Sequence, residues 1–340
     1  TFHLNFHIIL FMVLNAKHNR LQATQISCCF YGFSFYVFRT LNLDVSKVNV
    51  YIFDFTNNSN QSFAIGDAAS GILNINNLDK TKKFVMFVGG FTSHINHVIE
   101  KQIREAYKTN PNNYLIIPDH SAYTNNKNGN IKSYQRSVTH VHYIGKALGH
   151  MLANLTIRGI SSKNIHCVGH SLGGQMLGHT GSAFFNITGE KILRITALDP
   201  AGPCFTSSGI ENQVRSGLAD YVEVYHSNSG TLGSASILGD IDFIMNKKGE
   251  AQPHCRTPIL PLIYTSSKAA TCNHKISVDL WTAAVKNSSL FWAYSCESYK
   301  KFKSGKCASN NKTTAGPVNP GTAFGEYYLS TEKFNLKALM

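Results

Sequence analysis

The chain has 340 residues, of which 43% are hydrophobic and 15% are charged, and its formal net charge is +13. This composition excludes a disordered chain and allows one large α/β domain or two smaller ones. The positive charge would suit anionic surfaces, although solvated surface loops are the favoured explanation, and no zinc-finger, RRM or helix-turn-helix signature accompanies it, so we expect no nucleic-acid partner.

The first residues have the pattern of a secretory signal. Phe6–Val13 is an apolar run that is too short to span a bilayer, and a cleavage site follows near Ala16. The alternative is an apolar N-terminal strand or helix. We expect residues 1–16 to be a signal peptide, 17–47 a lead-in segment and 48–340 a single domain of a secreted, extracellular protein.

Cysteine and asparagine usage agrees with export. Two cysteine pairs each bracket a loop rich in Lys, Ser, Thr or Pro, the pattern of disulfide-closed surface loops: Cys255/Cys272 and Cys296/Cys307. We expect Cys167 and Cys204 to be free thiols, and Cys28 and Cys29 have no assigned partner. No cysteine or histidine spacing predicts a metal site. Asn-x-Ser/Thr sequons fit a glycoprotein and begin at Asn57, Asn60, Asn154, Asn186, Asn287 and Asn311.

Apolar runs alternate with helical periodicity along the chain. Strands are predicted at Val48–Phe55, Lys83–Val88, Tyr114–Pro118, Asn164–Val168, Ile192–Leu198 and Tyr221–Tyr225, with a polar turn at Thr56–Ser62. Helices are predicted at His94–Tyr107, Ser133–Leu155, Gly173–Phe185 and Ile276–Val285. Continuous apolar strands in this alternation predict an α/β fold, with a mostly parallel central sheet covered by helices on both faces.

A Gly-x-Ser-x-Gly frame follows one of these strands. Gly169, Ser171 and Gly173 lie between a predicted buried strand and a predicted helix. A serine hydroxyl becomes a nucleophile when a sharp strand-to-helix turn holds it beside a base and backbone N–H donors. Residues 169–173 therefore predict a nucleophile elbow with Ser171 at its tip.

A nucleophilic serine needs an acid and a base. Asp199 directly ends the next predicted strand and is the favoured acid, whereas Asp119 ends a strand on the other side and is expected to cap a loop. The chain order serine, acid, histidine leaves His226, His254 and His274 as possible bases. His274 is favoured because Cys272 and a predicted helix flank it, while His226 could be a structural histidine.

The developing oxyanion needs two backbone N–H donors. One belongs to Leu172, the residue after the nucleophile. The other is predicted in the glycine-rich strand end Gly89-Gly90-Phe91, with the Phe91 N–H as the donor. The alternative is an ordinary Gly-Gly turn.

Together these motifs resemble the pancreatic lipase family of secreted animal lipases and A1-type phospholipases, which have the α/β-hydrolase fold. The resemblance covers about residues 48–329 and rests on five sequence signatures: residues 89–91, 169–174, 198–203, 242–243 and 272–274, followed by the Cys296…Cys307 pair. It implies Ser171 as nucleophile, Asp199 as acid, His274 as base and Phe91 and Leu172 as oxyanion donors. It implies no cofactor and no metal.

The chain departs from the family pattern at two places. Gly89 replaces the histidine that usually precedes Gly90, which leaves the backbone donor but predicts a less rigid loop and lower activity. The C-terminal β-sandwich of the digestive lipases has no counterpart in this sequence, so we expect no colipase-like partner.

Two loops carry substrate choice in the family. The lid would be Arg256–Thr271, with an apolar stretch at Pro258–Tyr264, and the second loop, Asn228–Ile241, is short as in the A1-type phospholipases. An apolar lid suits a lipid interface, although a plain disulfide loop is the alternative. We expect a glycerolipid esterase, with phospholipase A1 activity favoured over a neutral lipase and over an inert lipid-binding protein.

Overall fold

A computed structural model describes residues 43–126, 130–255 and 262–339. The predicted signal peptide, most of the lead-in segment, Cys28, Cys29 and residues 256–261 of the predicted lid lie outside these ranges. The strands are β1 Asn49–Asp54, β2 Ser59–Ala64, β3 Lys83–Val88, β4 Asn113–Asp119, β5 Ile165–His170, β6 Arg194–Leu198, β7 Tyr221–His226, β8 Ile241–Met245, β9 Trp292–Ser295, β10 Lys312–Thr314 and β11 Gly325–Leu329.

Helices cover the connections between these strands. They are α1 Ala68–Leu73, α2 Val98–Tyr107, α3 Ser121–Thr124, α4 Asn130–Ile157, α5 Leu172–Thr188, α6 Leu262–Lys286, α7 Tyr299–Lys303 and α8 Leu336–Leu339. Short 3₁₀ turns lie at Ser162–Asn164, Ile210–Asn212 and Pro253–Cys255. No helix in the described ranges is both long and apolar enough to cross a membrane.

One sheet joins the eleven strands in the order β10-β9-β11-β8-β7-β6-β5-β3-β4-β1-β2. In this order the strands from β11 to β4 run parallel to one another. The antiparallel pairs involve β10 and β9 at one edge and β1 and β2 at the other. In a parallel sheet the carboxyl ends of the strands meet at one edge, where ligands bind. Ser171 follows β5 and Asp199 follows β6 at this edge.

The sheet is buried on both faces, because its strands send alternate apolar side chains into two separate cores. Phe84, Met86 and Val88 of β3 pack on one face with apolar side chains of α4 and α5. Val85 and Phe87 pack on the other face with apolar side chains of α2 and α6. The predicted α/β-hydrolase architecture is confirmed.

The structure corrects three sequence predictions. Ser59–Ser62, predicted as the second half of a polar turn, belong to the exposed edge strand β2, which pairs with β1, because a hairpin can hold a polar edge strand through its backbone. The helix predicted at Ile276–Val285 starts at Leu262, so the second part of the predicted lid is helical. Cys204 is disulfide-bonded rather than free, and its partner lies outside the described residues.

The other cysteine predictions are confirmed. Disulfides join Cys255 to Cys272 and Cys296 to Cys307. Cys167 is a buried free thiol in β5, and burial raises its pKa above the ordinary range. Such a thiol is unreactive and serves as a small apolar side chain.

Candidate active site

Ser171 lies at a strained turn between β5 and α5. Its backbone has φ 57° and ψ −121°, a conformation that L-residues rarely adopt and that is retained chiefly where function requires it. The Ser171 N–H donates to the Leu198 carbonyl, and the Ser171 carbonyl accepts from the Ala201 N–H at 3.0 Å. These bonds fix the serine to the end of β6, which the predicted acid, Asp199, follows directly.

The two glycines of the frame allow this turn to pack tightly. A β-carbon at Gly173 would lie 2.0 Å from the Val88 carbonyl oxygen, and one at Gly169 would lie 2.6 Å from the Gly173 carbonyl. Such contacts are impossible without moving backbone, so only glycine fits either position.

Asp199 is held as an acceptor of several hydrogen bonds. Its Oδ1 accepts from the backbone N–H groups of Ser227 at 2.8 Å and Asn228 at 3.0 Å, and its side chain is fully buried. A β-carbon at Gly233 would lie 2.4 Å from this oxygen, so the loop between β7 and β8 closes directly over the carboxylate. These two N–H groups fix the orientation of the carboxylate and leave Oδ2 to face His274.

The other carboxylate oxygen meets His274. The His274 Nδ1–H donates to Asp199 Oδ2 at 2.5 Å, which fixes the tautomer that leaves Nε2 able to accept a proton. His274 lies within α6, two residues beyond the disulfide-bonded Cys272, and its side chain is 11% exposed. The structure therefore brings the predicted acid and the predicted base together.

His170 packs directly against the ring of His274. The centroids of the two rings are 4.5 Å apart, and His170 Nε2–H donates to the His274 carbonyl at 3.1 Å. Burial, reinforced by the proximity of His274, lowers the pKa of His170 well below its ordinary value. A neutral His170 therefore connects the elbow to α6 and adds no positive charge beside the base.

No hydrogen bond joins Ser171 Oγ to His274 within the described residues. The contact between nucleophile and base is often long before substrate binds and shortens in the reacting complex. The geometry places Ser171, Asp199 and His274 at one edge of the sheet, with His274 bonded to Asp199 and packed against His170, the residue before Ser171.

The loop Gly89-Gly90-Phe91 lies beside the nucleophile. A β-carbon at Gly90 would be 2.9 Å from Ser171 Cβ, so this loop passes at van der Waals distance from the serine. Within the described part of the chain, the Phe91 N–H donates to no backbone carbonyl, and the Leu172 N–H opens α5 and has no intrahelical partner. Neither N–H group is therefore engaged by a backbone carbonyl of the described residues, and their role as oxyanion donors stays a prediction.

A buried carboxyl group occupies the space around Gly89. A β-carbon there would lie 2.1 Å from Glu100 Oε1 and 2.6 Å from Ser93 Oγ. Glu100 extends from the first turn of α2, is 2% exposed and lies 3.2 Å from His97 Nδ1. These side chains fill the position where a larger residue at Gly89 would lie, and the less rigid loop expected at Gly89 stays a prediction.

Further hydrogen bonds hold the same loop. Ser93 Oγ accepts from the Gly90 N–H at 3.1 Å, and the buried His120 donates through Nε2 to the Gly89 carbonyl at 3.2 Å. The Phe91 ring meets Tyr134 edge to face, at 5.5 Å between centroids. The loop is therefore fixed on both sides of the Phe91 N–H.

The alternative acids and bases have other partners. Asp119 accepts from the backbone N–H groups of Ile95 and Ser121, so it caps loops as expected. His254 lies in the 3₁₀ turn, where Nε2 donates to the Thr331 carbonyl at 2.9 Å. Neither residue is in contact with Ser171.

His226 forms a second histidine–aspartate pair. Its Nε2 lies 2.7 Å from Asp242 Oδ1, its Nδ1 lies 3.2 Å from the Ser234 carbonyl, and the side chains of the pair are 1% and 0% exposed. Burial lowers the pKa of His226, but the hydrogen bond and charge of Asp242, with the charge of Asp199, raise it overall. Both ring nitrogens are engaged, as expected of a structural histidine.

Sequence analysis missed several residues of this site. His170 lies inside the Gly-x-Ser-x-Gly frame. The only signal in the sequence that could have singled it out is that it is a histidine directly before the predicted nucleophile. Glu100, Ser93 and His120 gave no signal, because their distance from Ser171 along the chain hides their contacts with the loop. In the described ranges, no group of three or more histidine, cysteine or acidic residues could hold a metal ion.

Comparison with known proteins gives consistent matches. The model of the family described as Lipase matches residues 32–334. Lipase member H of Mus musculus is 29% identical over 272 residues, covering 79% of this chain and 55% of its own. Phospholipase A1 member A of Homo sapiens is 33% identical over 179 residues, covering 53% of this chain and 37% of its own. The chain thus spans about half the length of lipase member H.

Proposed function

Because this chain belongs to the lipase family, we propose that it is a serine carboxylic ester hydrolase acting on glycerolipids. The single observation that carries the proposal is the bond from His274 to Asp199 beside a serine at a strained elbow. A fully buried aspartate, a histidine with one free ring nitrogen and a strained serine form the arrangement that ester hydrolysis requires.

In the proposed reaction, Ser171 Oγ attacks the ester carbonyl carbon while His274 Nε2 takes its proton. Asp199 stabilises the imidazolium that forms, and the Phe91 and Leu172 N–H groups donate to the oxyanion. The imidazolium then protonates the departing alcohol, which leaves an acyl group on Ser171. Water, deprotonated by His274, releases the fatty acid and restores the serine.

The favoured reaction is phospholipase A1-type cleavage at the sn-1 ester. The loop between β7 and β8 supports it, because it is short, as expected from the resemblance to A1-type phospholipases, and folds back over Asp199 through Gly233. The relative with phospholipase A1 in its name supports it too. A tri- or diacylglycerol lipase is the second candidate, favoured by the lipase named in the longer match.

We also propose that residues 48–340 form one catalytic domain and that the protein acts outside the cell. The Cys255–Cys272 and Cys296–Cys307 disulfides support an oxidising compartment.

Two assays test the proposal. Ser171→Ala should abolish fatty-acid release by the purified protein, and undiminished release would contradict the serine mechanism. Parent protein should release more fatty acid from phosphatidylcholine than from a triolein emulsion. The reverse preference would favour the neutral lipase, and no release from either lipid would favour an inert lipid-binding protein.

A further inference from the structure

A cleft of about 660 Å³ lies beside the predicted lid disulfide, and three lysines line it. Lys247 and Lys248 come from the turn after β8, and Lys303 comes from α7. Glu332 is the acidic residue of the lining, and it lies 3.6 Å from Lys303. Neither Lys247 nor Lys248 has a carboxylate within 4.0 Å among the described residues, so the cleft carries an excess of positive charge.

The cleft opens at the same edge of the sheet as the candidate active site. β8 is parallel to β7, so the turn that follows Met245 lies beside the residues that follow His226. Asn273, which precedes His274, also lines the cleft, and its Oδ1 accepts from the Gln252 N–H at 3.0 Å. Gln252 Nε2 in turn donates to the Ser227 carbonyl at 2.8 Å.

The turn that carries the two lysines is fixed in an unusual conformation. Asn246 and Lys248 have φ angles of 53° and 51°, in the left-handed region that residues with a β-carbon rarely adopt. The buried Asn246 side chain holds the turn, because Oδ1 accepts from the Thr331 N–H at 2.8 Å and Nδ2 donates to Thr331 Oγ1 at 2.9 Å. The lysine ammonium groups are therefore carried by backbone that is already ordered.

We propose that this cleft binds the phosphate group of an anionic lipid headgroup and so docks the protein with its active-site edge facing a lipid surface. Lysine ammonium groups bind phosphate as point charges, and a cleft lined by one sign of charge concentrates the opposite ion. Tyr299, which also lines the cleft, has the amphipathic ring that favours a lipid–water boundary. The choice of lipid rather than another phosphate rests on the proposed function.

Vesicle binding by the Ser171→Ala protein tests this inference separately from catalysis. The charge-reversal pair Lys247→Glu and Lys248→Glu is compared with Lys83→Glu and Lys146→Glu. The control lysines are exposed, lie outside the cleft and change the net charge by the same amount. All variants are first checked for an unchanged melting temperature, so that lost binding is not lost folding.

We expect the cleft pair to lower partitioning onto vesicles of equal phosphatidylserine and phosphatidylcholine by at least about thirtyfold, the usual contribution of two basic residues at an anionic membrane, because the introduced glutamates add repulsion to the lost attraction. The control pair should lower it by less than about threefold. Equal losses in the two pairs would overturn the inference, since net charge alone would then explain binding. Free inorganic phosphate is tested as a second ligand. If the parent protein binds it as tightly as it binds vesicles, and the cleft pair no longer binds it, the lipid assignment is overturned.

This test and that of the proposed function fail independently. Absence of ester hydrolysis by the parent protein would refute the proposed function and would leave the binding comparison intact. Normal hydrolysis by the parent protein, together with equal losses of vesicle binding in the cleft pair and the control pair, would refute only the proposed role of the cleft.

Discussion

Two histidine–aspartate pairs lie at the carboxyl edge of the sheet, and they differ in what their second ring nitrogen meets. In His226–Asp242 the ring nitrogens contact a carboxylate and a carbonyl, and the ring is 1% exposed. In His274–Asp199 one nitrogen meets the carboxylate, and the ring is 11% exposed beside the nucleophile. The same pair of residue types can therefore hold a loop in place or take a proton. The difference is that His274 Nε2 has no hydrogen-bond partner among the described residues, whereas both nitrogens of His226 have one.

Removing His274 should have the largest effect on activity. His274→Ala leaves Ser171 without a base, so we expect kcat for a soluble ester to fall by a factor on the order of 10⁶. Although Asp199 also loses its partner, the His274 ring is 11% exposed and the His226 ring 1%, so water can more easily replace the His274 ring, and His274→Ala should lower the melting temperature less than His226→Ala does. A kcat within tenfold of the parent value would contradict the role of this residue.

Removing His226 should instead affect folding. His226→Ala leaves the buried Asp242 carboxylate without its partner, so the free energy of unfolding should fall by about 3–5 kcal/mol. His254→Ala is the matched control, because it removes one bond to a carbonyl and should cost about 1 kcal/mol. Denaturant titration measures the loss of unfolding free energy in each variant. Equal losses would show that the His226–Asp242 pair stabilises the fold no more than the single bond of His254 does.

A third comparison sets Gly89, in the loop beside Ser171, against Gly66, which lies outside that loop. Gly89→Ala places a methyl group against Glu100 and Ser93, so it should cost about 1–3 kcal/mol of stability and shift the Phe91 donor. We expect kcat to fall about hundredfold, the usual loss when one oxyanion donor is misplaced. Gly66→Ala meets no atom within 4 Å and should leave kcat and stability unchanged. An unaffected Gly89→Ala would mean that Glu100 and Ser93 move aside freely.

The smallest expected effect is a dependence of stability on pH. The pKa of His226 is raised in the folded protein, so the stability gained from its protonation is complete below the unfolded-state pKa of about 6.5. That contribution is lost as the pH rises through the higher folded-state pKa. The parent protein should therefore lose unfolding free energy more steeply above neutral pH than His226→Gln. Parallel curves for the two proteins would contradict the raised pKa.

Local sequence pattern was enough for much of the fold and for the positions of the site residues. The apolar runs in β3, β4, β5, β6 and β7 are continuous and lie between clear turn residues, and the frame around Ser171 sits between two of them. The order serine, acid, histidine left both His226 and His274 open. Only the packing of β8 against β7 brings Asp242 to His226 and engages both of its nitrogens.

Other parts depended on contacts between distant segments. The edge strand β2 is polar and is ordered by its pairing with β1, so its own sequence gives no apolar signal. The sequence predicts a late start for α6, because the cysteine pair Cys255/Cys272 suggests a closed loop where the helix already begins. Glu100 reaches Gly89 only because α2 packs beside β3, and no sequence spacing encodes that approach.

Labelling with an organophosphonate ester tests the central claim most directly, because this reagent reacts with a serine that an adjacent histidine activates. Peptide mass spectrometry of the labelled native protein should find one adduct, on Ser171. Labelling should vanish in Ser171→Ala, become far slower in His274→Ala and continue in the folded fraction of His226→Ala. An adduct on another residue, or undiminished labelling of Ser171→Ala, would contradict the assignment of the nucleophile.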